Sequence, residues 1–193
     1  WYRANVVPHR APGYAIVNLS LKAPGIAPGD LTADQMDKVA DLAESFSLGE
    51  LRVSHRQNLV FPDVQQTSLY ALWQELQMLS LATPNIGQLT DIIACPGLDF
   101  CKLANARAIP VAQDIGRHFA SAAELKDIGE LTINISGCMN ACGHHHVGHI
   151  GILGVEKNGQ EFYQLTLGGS SARDASLGAR LGAASVLLYI AEG

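Results

Sequence analysis

The residues best suited to chemistry in this sequence are its four cysteines. They form two pairs, Cys95-x5-Cys101 and Cys138-x3-Cys142. Four clustered cysteines are too few for a disulfide-stapled scaffold, and their clustering favours metal ligation. Four thiolates are also the number and the type of ligand that a cubane iron-sulfur cluster requires. We therefore predict that these cysteines bind a [4Fe-4S] cluster.

Zinc is an alternative ligand for the same thiolates. Structural zinc sites use C-x2-C to C-x4-C knuckles, whose tight turn aims both sulfurs at one tetrahedral ion. The five-residue spacer between Cys95 and Cys101 leads into a predicted helix and fits that geometry less well. A structural zinc domain, or thiol pairs that are simply buried, stay as alternatives.

Three glycines lie beside the cysteines, namely Gly97, Gly137 and Gly143. Because glycine has no Cβ, we expect these positions to let backbone amides approach the sulfides of a cluster. Each glycine could also serve only to form a turn.

Four histidines follow the last cysteine, at positions 144, 145, 146 and 149. They straddle the start of a predicted strand, where successive side chains point to opposite faces, so they cannot all converge on one metal ion. We expect one or two of them to be buried and hydrogen-bonded, with the others exposed or touching the edge of a cofactor.

Hydrophobic periodicity predicts an α+β protein of two parts, residues 1–85 and 86–193. The first part has a T-x-x-Q capping box at Thr32 and Gln35. It reads as a ferredoxin-like half-domain, β-α-β-β-α, with elements at 14–22, 31–46, 50–54, 58–64 and 67–80.

The second part reads as an α/β domain. Its predicted strands cover 90–94, 131–136, 146–155 and 161–168, and its predicted helices cover 99–106, 110–127 and 171–191. Both cysteine pairs follow the ends of strands, which is where α/β proteins commonly place their sites.

At the cysteines the sequence resembles the siroheme-dependent nitrite and sulfite reductases. The segments ACPGLDFCKLA at 94–104 and SGCMNACGHHHVGHIGILGV at 136–155 match that family's cluster signature in order and spacing. LRVSHRQNLVFPDV at 51–64 and YQLTLGG at 163–169 resemble further family blocks. The resemblance covers essentially the whole chain and implies a ferredoxin-like half-domain followed by a siroheme and [4Fe-4S]-binding domain.

The resemblance implies that Cys142 bridges a cluster iron to the siroheme iron, so that electrons pass directly to the haem. The other axial face of the siroheme would bind sulfite or nitrite and reduce it, with six electrons, to sulfide or ammonia. Of the two substrates, we expect sulfite, with nitrite as the alternative. In such enzymes the cofactors carry the chemistry, while the protein supplies ligation, charge and proton access.

The resemblance also assigns residues around the siroheme. Asn140 matches the position that lies against the cofactor, and Cys142, Arg52 and Arg56 are assigned to catalysis. Siroheme carries eight carboxylates, for which arginine side chains are suitable partners. A solvated strand edge is the alternative for both arginines. The residues assigned to siroheme in the first part are Arg52, His55, Arg56, Gln57 and Asn58.

The chain departs from the family pattern in one respect. Typical members contain two copies of this domain pair, and the chain resembles only the C-terminal, cluster-binding copy. It begins at Trp1, not Met, which favours a processed or excised chain. It is either a single-repeat reductase or part of a longer enzyme whose site needs a missing N-terminal half or a second chain. A cluster-binding half that only transfers electrons, and the related precorrin-oxidising branch, are further alternatives.

The bulk composition excludes two classes of partner. The formal net charge is -5 and the 13 basic residues are scattered, so we expect no nucleic-acid partner. No apolar run approaches the roughly 18 residues of a membrane helix, so we expect no membrane partner. The predicted partners are a small oxyanion and an external electron donor, and the predicted location is the cytoplasm.

Overall fold

A computed structural model describes residues 1–186, which divide into two compact units. Residues 1–23 and 29–86 form the first unit, and residues 24–28 join the chain from 87 onward in the second.

The first unit contains one antiparallel sheet with three helices. In chain order its elements are α1 (Tyr2–Asn5), β1 (Val6–Pro8), β2 (Tyr14–Leu19), α2 (Ala33–Phe46), β3 (Arg52–Val53), β4 (Leu59–Gln65) and α3 (Leu69–Met78). The strand order is β1-β2-β4-β3. The predicted succession of two helices and three strands is present, and the structure adds only the short α1 and β1.

Alternation and helical periodicity explain the core of this unit. Val17 and Leu19 on β2 are fully buried, while Ile16 and Asn18, which alternate with them, are partly exposed. Val39 from α2 and Leu72 from α3 cover the same core, together with Phe61 from β4. Helix α2 starts at the predicted capping box, because the Thr32 hydroxyl accepts a hydrogen bond from the Gln35 N–H over 3.1 Å.

The second unit is built on a mixed five-stranded sheet. Its elements are β5 (Ile93–Ala94), α4 (Gly97–Phe100), α5 (Ile109–His118), α6 (Ala122–Ile128), β6 (Ile133–Ser136), β7 (Ile150–Lys157), β8 (Gln160–Leu167) and β9 (Ala179–Ser185). The strand order is β5-β6-β7-β8-β9; the first three strands run parallel and the last three antiparallel. Ile135, Ile152 and Tyr163 form the centre of its core with Val111 of α5.

The helix predicted over 171–191 is wrong in the part of the chain that the structure describes. Residues 179–185 form β9, which pairs antiparallel with β8 through Leu165 and Leu181. The alanines and leucines of this segment favour a helix, but Gly178 and Gly182 interrupt it, and Gly182 has a φ of +61° that a helix cannot use. The last residues of the predicted helix, 187–191, lie outside the described residues.

Three smaller boundaries also differ from the sequence predictions. The helix predicted over 99–106 is a single turn, α4, followed by a loop, and the helix predicted over 110–127 is two helices, α5 and α6. The strand predicted from 146 begins only at Ile150, because residues 145–147 form a 3-10 turn. The α+β class and the two-part fold are confirmed, and the errors lie in loops whose conformation depends on tertiary contacts.

Candidate metal centre

The cysteine pairs lie on two loops that leave neighbouring parallel strands. Ala94, at the end of β5, pairs with Ile135 of β6. The Cys95 N–H continues this pairing by donating to the Ile135 carbonyl over 3.1 Å. The carboxyl ends of parallel strands meet at one edge of a sheet, so both loops start at the same edge.

One hydrogen bond joins the two loops at a sulfur atom. The backbone N–H of Gly137 donates to the Sγ of Cys95 over 3.0 Å. Gly137 immediately precedes Cys138, and the side chains of Cys95 and Cys138 are both buried, each with 7 % of its surface exposed. The first cysteine of each pair therefore lies inside the unit, and the sulfur of Cys95 accepts a hydrogen bond from a backbone amide there.

The second cysteine of each pair is placed by a local turn. The Cys101 N–H donates to the Gly97 carbonyl over 2.8 Å and closes α4. In the other loop the Ala141 N–H donates to the Cys138 carbonyl over 3.1 Å, and Ala141 adopts a left-handed φ of 56°. Cys101 is half-buried and Cys142 is exposed, and all four cysteines are free thiols.

The two loops approach each other through backbone, which explains two of the glycines. A Cβ added at Gly137 would lie 2.9 Å from the Gly97 Cα and 2.6 Å from the Ala106 carbonyl oxygen. Gly97 also has a φ of +60°, and a Cβ there would lie 2.5 Å from the Ala108 nitrogen. Glycine at these positions is thus required by contact between protein segments, a role that the sequence analysis did not anticipate.

The peptide that follows Cys142 is held from both sides by β6. The Gly143 N–H donates to the Ser136 hydroxyl over 3.1 Å, and its carbonyl accepts from the Asn134 side-chain amide over 2.9 Å. Ser136 and Asn134 are buried. Sequence reasoning missed both residues, although two polar side chains that alternate with isoleucines in Ile133–Ser136 were an available signal.

The histidines do not gather at one point. His145 is 5 % exposed and its Nδ1 has no hydrogen-bond partner among the described residues. Its ring lies 4.2 Å from that of His146, centroid to centroid. Burial, and secondarily the charge of His146, lowers the pKa of His145 to about 4. His149 instead accepts a hydrogen bond at Nδ1 from the Thr132 N–H over 3.0 Å.

Within residues 1–186, no group of three or more His, Cys, Asp or Glu side chains is placed so that it could hold a metal ion. A cubane does not need its thiolates to converge on one ion, because each thiolate binds a different iron atom. The four cysteine thiols fit such a cluster in number and chemistry. The hydrogen bond from the Gly137 amide to Cys95 is the kind of contact that stabilises a ligating thiolate.

In the first unit, Arg52 and His55 are the exposed members of the siroheme block predicted from sequence. Arg52 lies on β3 and forms an ion pair with Glu50, Nε to Oε1 over 2.5 Å. The hydrogen bond that Arg52 donates to Glu50, followed by the negative charge of Glu50, raises the pKa of the guanidinium. His55 is at the tip of the β3–β4 turn. Both side chains are therefore accessible to a ligand of this unit.

The other three members of the block have internal contacts. The Asn58 side-chain oxygen accepts from the Leu21 N–H over 3.2 Å, and Asn58 is 3 % exposed. The Arg56 carbonyl accepts a hydrogen bond from the buried Lys22 ammonium group. Gln57 has a left-handed φ of 57°. The structure gives Asn58 a part in holding the turn against the end of β2.

Asn140, the remaining predicted siroheme contact, is exposed in the turn between Cys138 and Cys142. It lies in the second unit with all four cysteines, whereas the Arg52–Asn58 block lies in the first.

Family models match both units. The nitrite/sulfite reductase ferredoxin-like half domain matches residues 11–79, and the nitrite and sulphite reductase 4Fe-4S domain matches residues 87–191. The chain therefore belongs to the nitrite and sulfite reductase family. The 4Fe-4S match contains all four cysteines, and the family implies a [4Fe-4S] cluster and siroheme, as the sequence predicted.

Similar proteins include both kinds of reductase. The chloroplastic ferredoxin–nitrite reductase of Betula pendula is 30% identical over 92% of this chain and 31% of its own length. Sulfite reductase [ferredoxin] 2 of Mycolicibacterium paratuberculosis is 31% identical over 83% of this chain and 31% of its own. The solved structure of the Mycobacterium tuberculosis NirA protein has a TM-score of 0.77 at 25% identity, covering 98% of this chain and 35% of that one.

The chain spans about a third of the length of these relatives. None of the helices in the described part of the chain is long and apolar enough to cross a membrane.

Removal of the Ser136 hydroxyl tests the support of the peptide after Cys142. Ser136→Ala leaves the buried Gly143 N–H without its acceptor, and we expect it to lower the free energy of unfolding by about 1–3 kcal/mol. The control is Ser176→Ala, which removes an exposed hydroxyl bonded to the Gly168 carbonyl and which water can replace. Urea denaturation measures both, and equal losses in the two variants would contradict the role of Ser136.

The buried His145 makes stability depend on pH. Between pH 6.5 and about 4 the unfolded chain binds a proton that the folded chain does not, so stability is full above pH 6.5 and falls as the pH approaches 4. The loss should be on the order of 2–3 kcal/mol. His145→Gln should flatten this decline, whereas the same change at the exposed His118 should leave it as in the wild type. The free energy of unfolding is measured by chemical denaturation across this pH range. If it falls equally with pH in the wild type and in His145→Gln, His145 is not the cause of the decline.

Proposed function

We propose that this chain binds a [4Fe-4S] cluster through Cys95, Cys101, Cys138 and Cys142, and that Cys142 also ligates siroheme. The observation that carries the proposal is the hydrogen bond from the Gly137 N–H to the Cys95 Sγ, which joins the two cysteine loops at a sulfur. The family match across all four cysteines supports it.

The exposure of the four thiols supports the special role of Cys142. Cys95 and Cys138 are buried, while Cys142 is exposed and lies one residue before the peptide held by Ser136 and Asn134. A shared ligand must have a fixed backbone and a sulfur that a second cofactor can reach. Among the four cysteines, Cys142 best combines these two properties.

The reaction that we propose is the six-electron reduction of sulfite to sulfide, with the reduction of nitrite to ammonia as the alternative. When bound, the cluster and siroheme supply the electrons and the binding site for the anion. The protein's own contribution is positive charge and hydrogen-bond donors. Arg52 and Arg56 would attract the carboxylates of siroheme and the substrate anion, and the exposed Asn140 amide could donate beside Cys142.

Within the first unit, Gln57 and His55 could add hydrogen-bond donors from the β3–β4 turn. Asn58 is less suited to contact a cofactor directly, since its side-chain oxygen already accepts from the Leu21 N–H. We propose that it acts by holding the turn on which Arg56 lies.

Because the chain spans about a third of its relatives, its activity is proposed for an assembly that supplies the remaining contacts, through a missing half or a second chain. The electron donor would be external, and relatives named for ferredoxin suggest a protein of that kind. We propose a cytoplasmic location, since free cysteine ligands persist in a reducing compartment. A half-enzyme that binds the cluster and only transfers electrons is the second candidate, because all four cysteines lie in the second unit.

Serine substitutions test the ligand assignment after anaerobic reconstitution. Cys95→Ser should lose the cluster, because its thiolate is buried and cannot be replaced from solvent. Cys142→Ser should keep most of the iron but lose the coupling between haem and cluster. Iron, zinc and sulfide content, with optical and electron paramagnetic resonance spectra, measure both changes.

Met139→Ser is the matched control, because this 85 % exposed side chain lies in the same turn and should have no ligand role. An intact, coupled pair of cofactors in either cysteine variant would overturn the assignment. Stoichiometric zinc without iron would support the zinc alternative instead.

Turnover with reduced methyl viologen tests the reaction. We expect sulfite to be reduced with a higher kcat/KM than nitrite, and Arg52→Gln or Arg56→Gln to lower kcat/KM roughly tenfold through loss of one charge-assisted contact. The exposed Arg10→Gln variant should retain full activity. Faster nitrite reduction would favour the alternative substrate. Cluster absorption without siroheme bands, and no turnover, would favour the electron-transfer half.

A further inference from the structure

Residues 104–108 contact both cysteine loops at once. The N–H groups of Asn105 and Ala106 donate to the Gly137 carbonyl over 2.8 and 2.9 Å, and the Leu98 N–H donates to the Ala106 carbonyl over 3.2 Å. Ala106 is fully buried, and a Cβ added at Gly154 of β7 would lie only 2.6 Å from the Ala106 Cβ. This bridging segment, residues 104–108, therefore sets the separation between the loop of Cys95 and Cys101 and the loop of Cys138.

Two side chains of β8 hold the bridging segment at Arg107. The Arg107 N–H donates to Glu161 Oε2 over 2.7 Å, and the Tyr163 hydroxyl donates to the Arg107 carbonyl over 3.0 Å. Glu161 and Tyr163 are two residues apart on one strand and so point to the same face. Their oxygens lie 3.0 Å apart, which makes one connected network around a single backbone residue.

The Tyr163 hydroxyl is suited to this role. Tyr163 is 3 % exposed, and burial, followed by the hydrogen bond and charge of Glu161, raises its pKa, so the hydroxyl stays neutral and keeps its proton to donate. The hydroxyl has one proton, which lies between two acceptors, the Arg107 carbonyl and Glu161 Oε2, and both hydrogen bonds are partly buried.

The Arg107 side chain adds a looser connection. Its Nε lies 3.7 Å from Glu161 Oε1 and 3.9 Å from Asp99 Oδ1, and Asp99 lies between Cys95 and Cys101. These groups are partly exposed, so the ion pairs contribute little on their own. The hydrogen bonds to the backbone are the stronger restraint.

We propose that Glu161 and Tyr163 are positioning residues for the iron-sulfur cluster, because they hold Arg107 and thereby fix the spacing of the two cysteine loops. The inference rests on the proposed function, since it presumes that these loops bind a cluster. Loss of the network would loosen the bridging segment and, with it, the Gly137 N–H that donates to the Cys95 Sγ. The cluster would then be released faster and its reduction potential would change, because amide-to-sulfur hydrogen bonds tune both properties.

Tyr163→Phe and Glu161→Ala test the proposal in the reconstituted protein. We expect the amides of Ala106 and Arg107 to exchange with solvent deuterium about tenfold faster, the effect of losing one hydrogen bond of about 1 kcal/mol. We also expect several-fold faster transfer of iron to a chelator and a shifted cluster potential. Glu161→Gln keeps an acceptor oxygen and should restore most of the wild-type behaviour.

Matched variants separate positioning from general destabilisation. Val111→Ala weakens the same core but removes no hydrogen bond of the bridging segment, because the side chain of Val111 is apolar. Tyr70→Phe and Glu130→Ala make the same chemical changes at exposed sites. These controls should release iron at the wild-type rate and keep the wild-type reduction potential of the cluster. This should be so even if Val111→Ala lowers the melting temperature as much as Tyr163→Phe.

Two results would overturn the proposal. If Val111→Ala released iron as fast as Tyr163→Phe at equal stability, Tyr163 would have only a structural role. If the wild type held a cluster and both test variants matched it in iron release and potential, this inference alone would fail. A wild-type chain that bound no iron would instead refute the proposed function, and this inference with it.

Discussion

The short parallel pairing of β5 with β6 is the constraint on which the cysteine site depends. Only Ile93 and Ala94 of β5 take part, yet this pairing places the first residue beyond β5, Cys95, beside Gly137. Without it, the long stretch of chain between the two cysteine pairs would leave their loops unrelated. The pairing also explains why backbone must meet backbone at Gly97 and Gly137, where no side chain would fit.

The two cysteine loops lie outside the strands and form no regular ladder, so their backbone polar groups need other hydrogen-bond partners. The structure meets this need in the same way twice. Buried side chains of β6 bind the N–H and carbonyl of Gly143, and side chains of β8 bind those of Arg107. In each case the polar residues of a strand stabilise a neighbouring loop, which makes the sheet the rigid reference for the cysteines.

The sequence predicted the parts of the molecule that depend on local pattern. Periodicity predicted α2, α3 and most strands, and spacing with residue type predicted four thiolates as one set. The helix predicted from residue 171 is wrong over 179–185, because Gly178 and Gly182 disfavour a helix there and pairing with β8 overrides the helix propensity of the alanines and leucines. The sequence shows Ser136 as a polar residue in an apolar strand but does not identify its partner, and it gives no signal for Glu161 and Tyr163. All three bind backbone groups that only the tertiary fold brings near.

The electrostatics of the cysteine site depend on how the backbone of the two loops is held. The buried sulfur of Cys95 receives a peptide N–H, and the nearest ion pairs along the bridging segment, from Arg107 to Asp99 and Glu161, are partly exposed. A peptide dipole cannot be screened or reoriented unless the backbone moves, whereas an exposed ion pair is weakened by salt. Negative charge on the thiolates would therefore be stabilised by backbone geometry. Residues that fix that geometry, even from a strand two positions away in the sheet, would therefore affect the cluster without touching it.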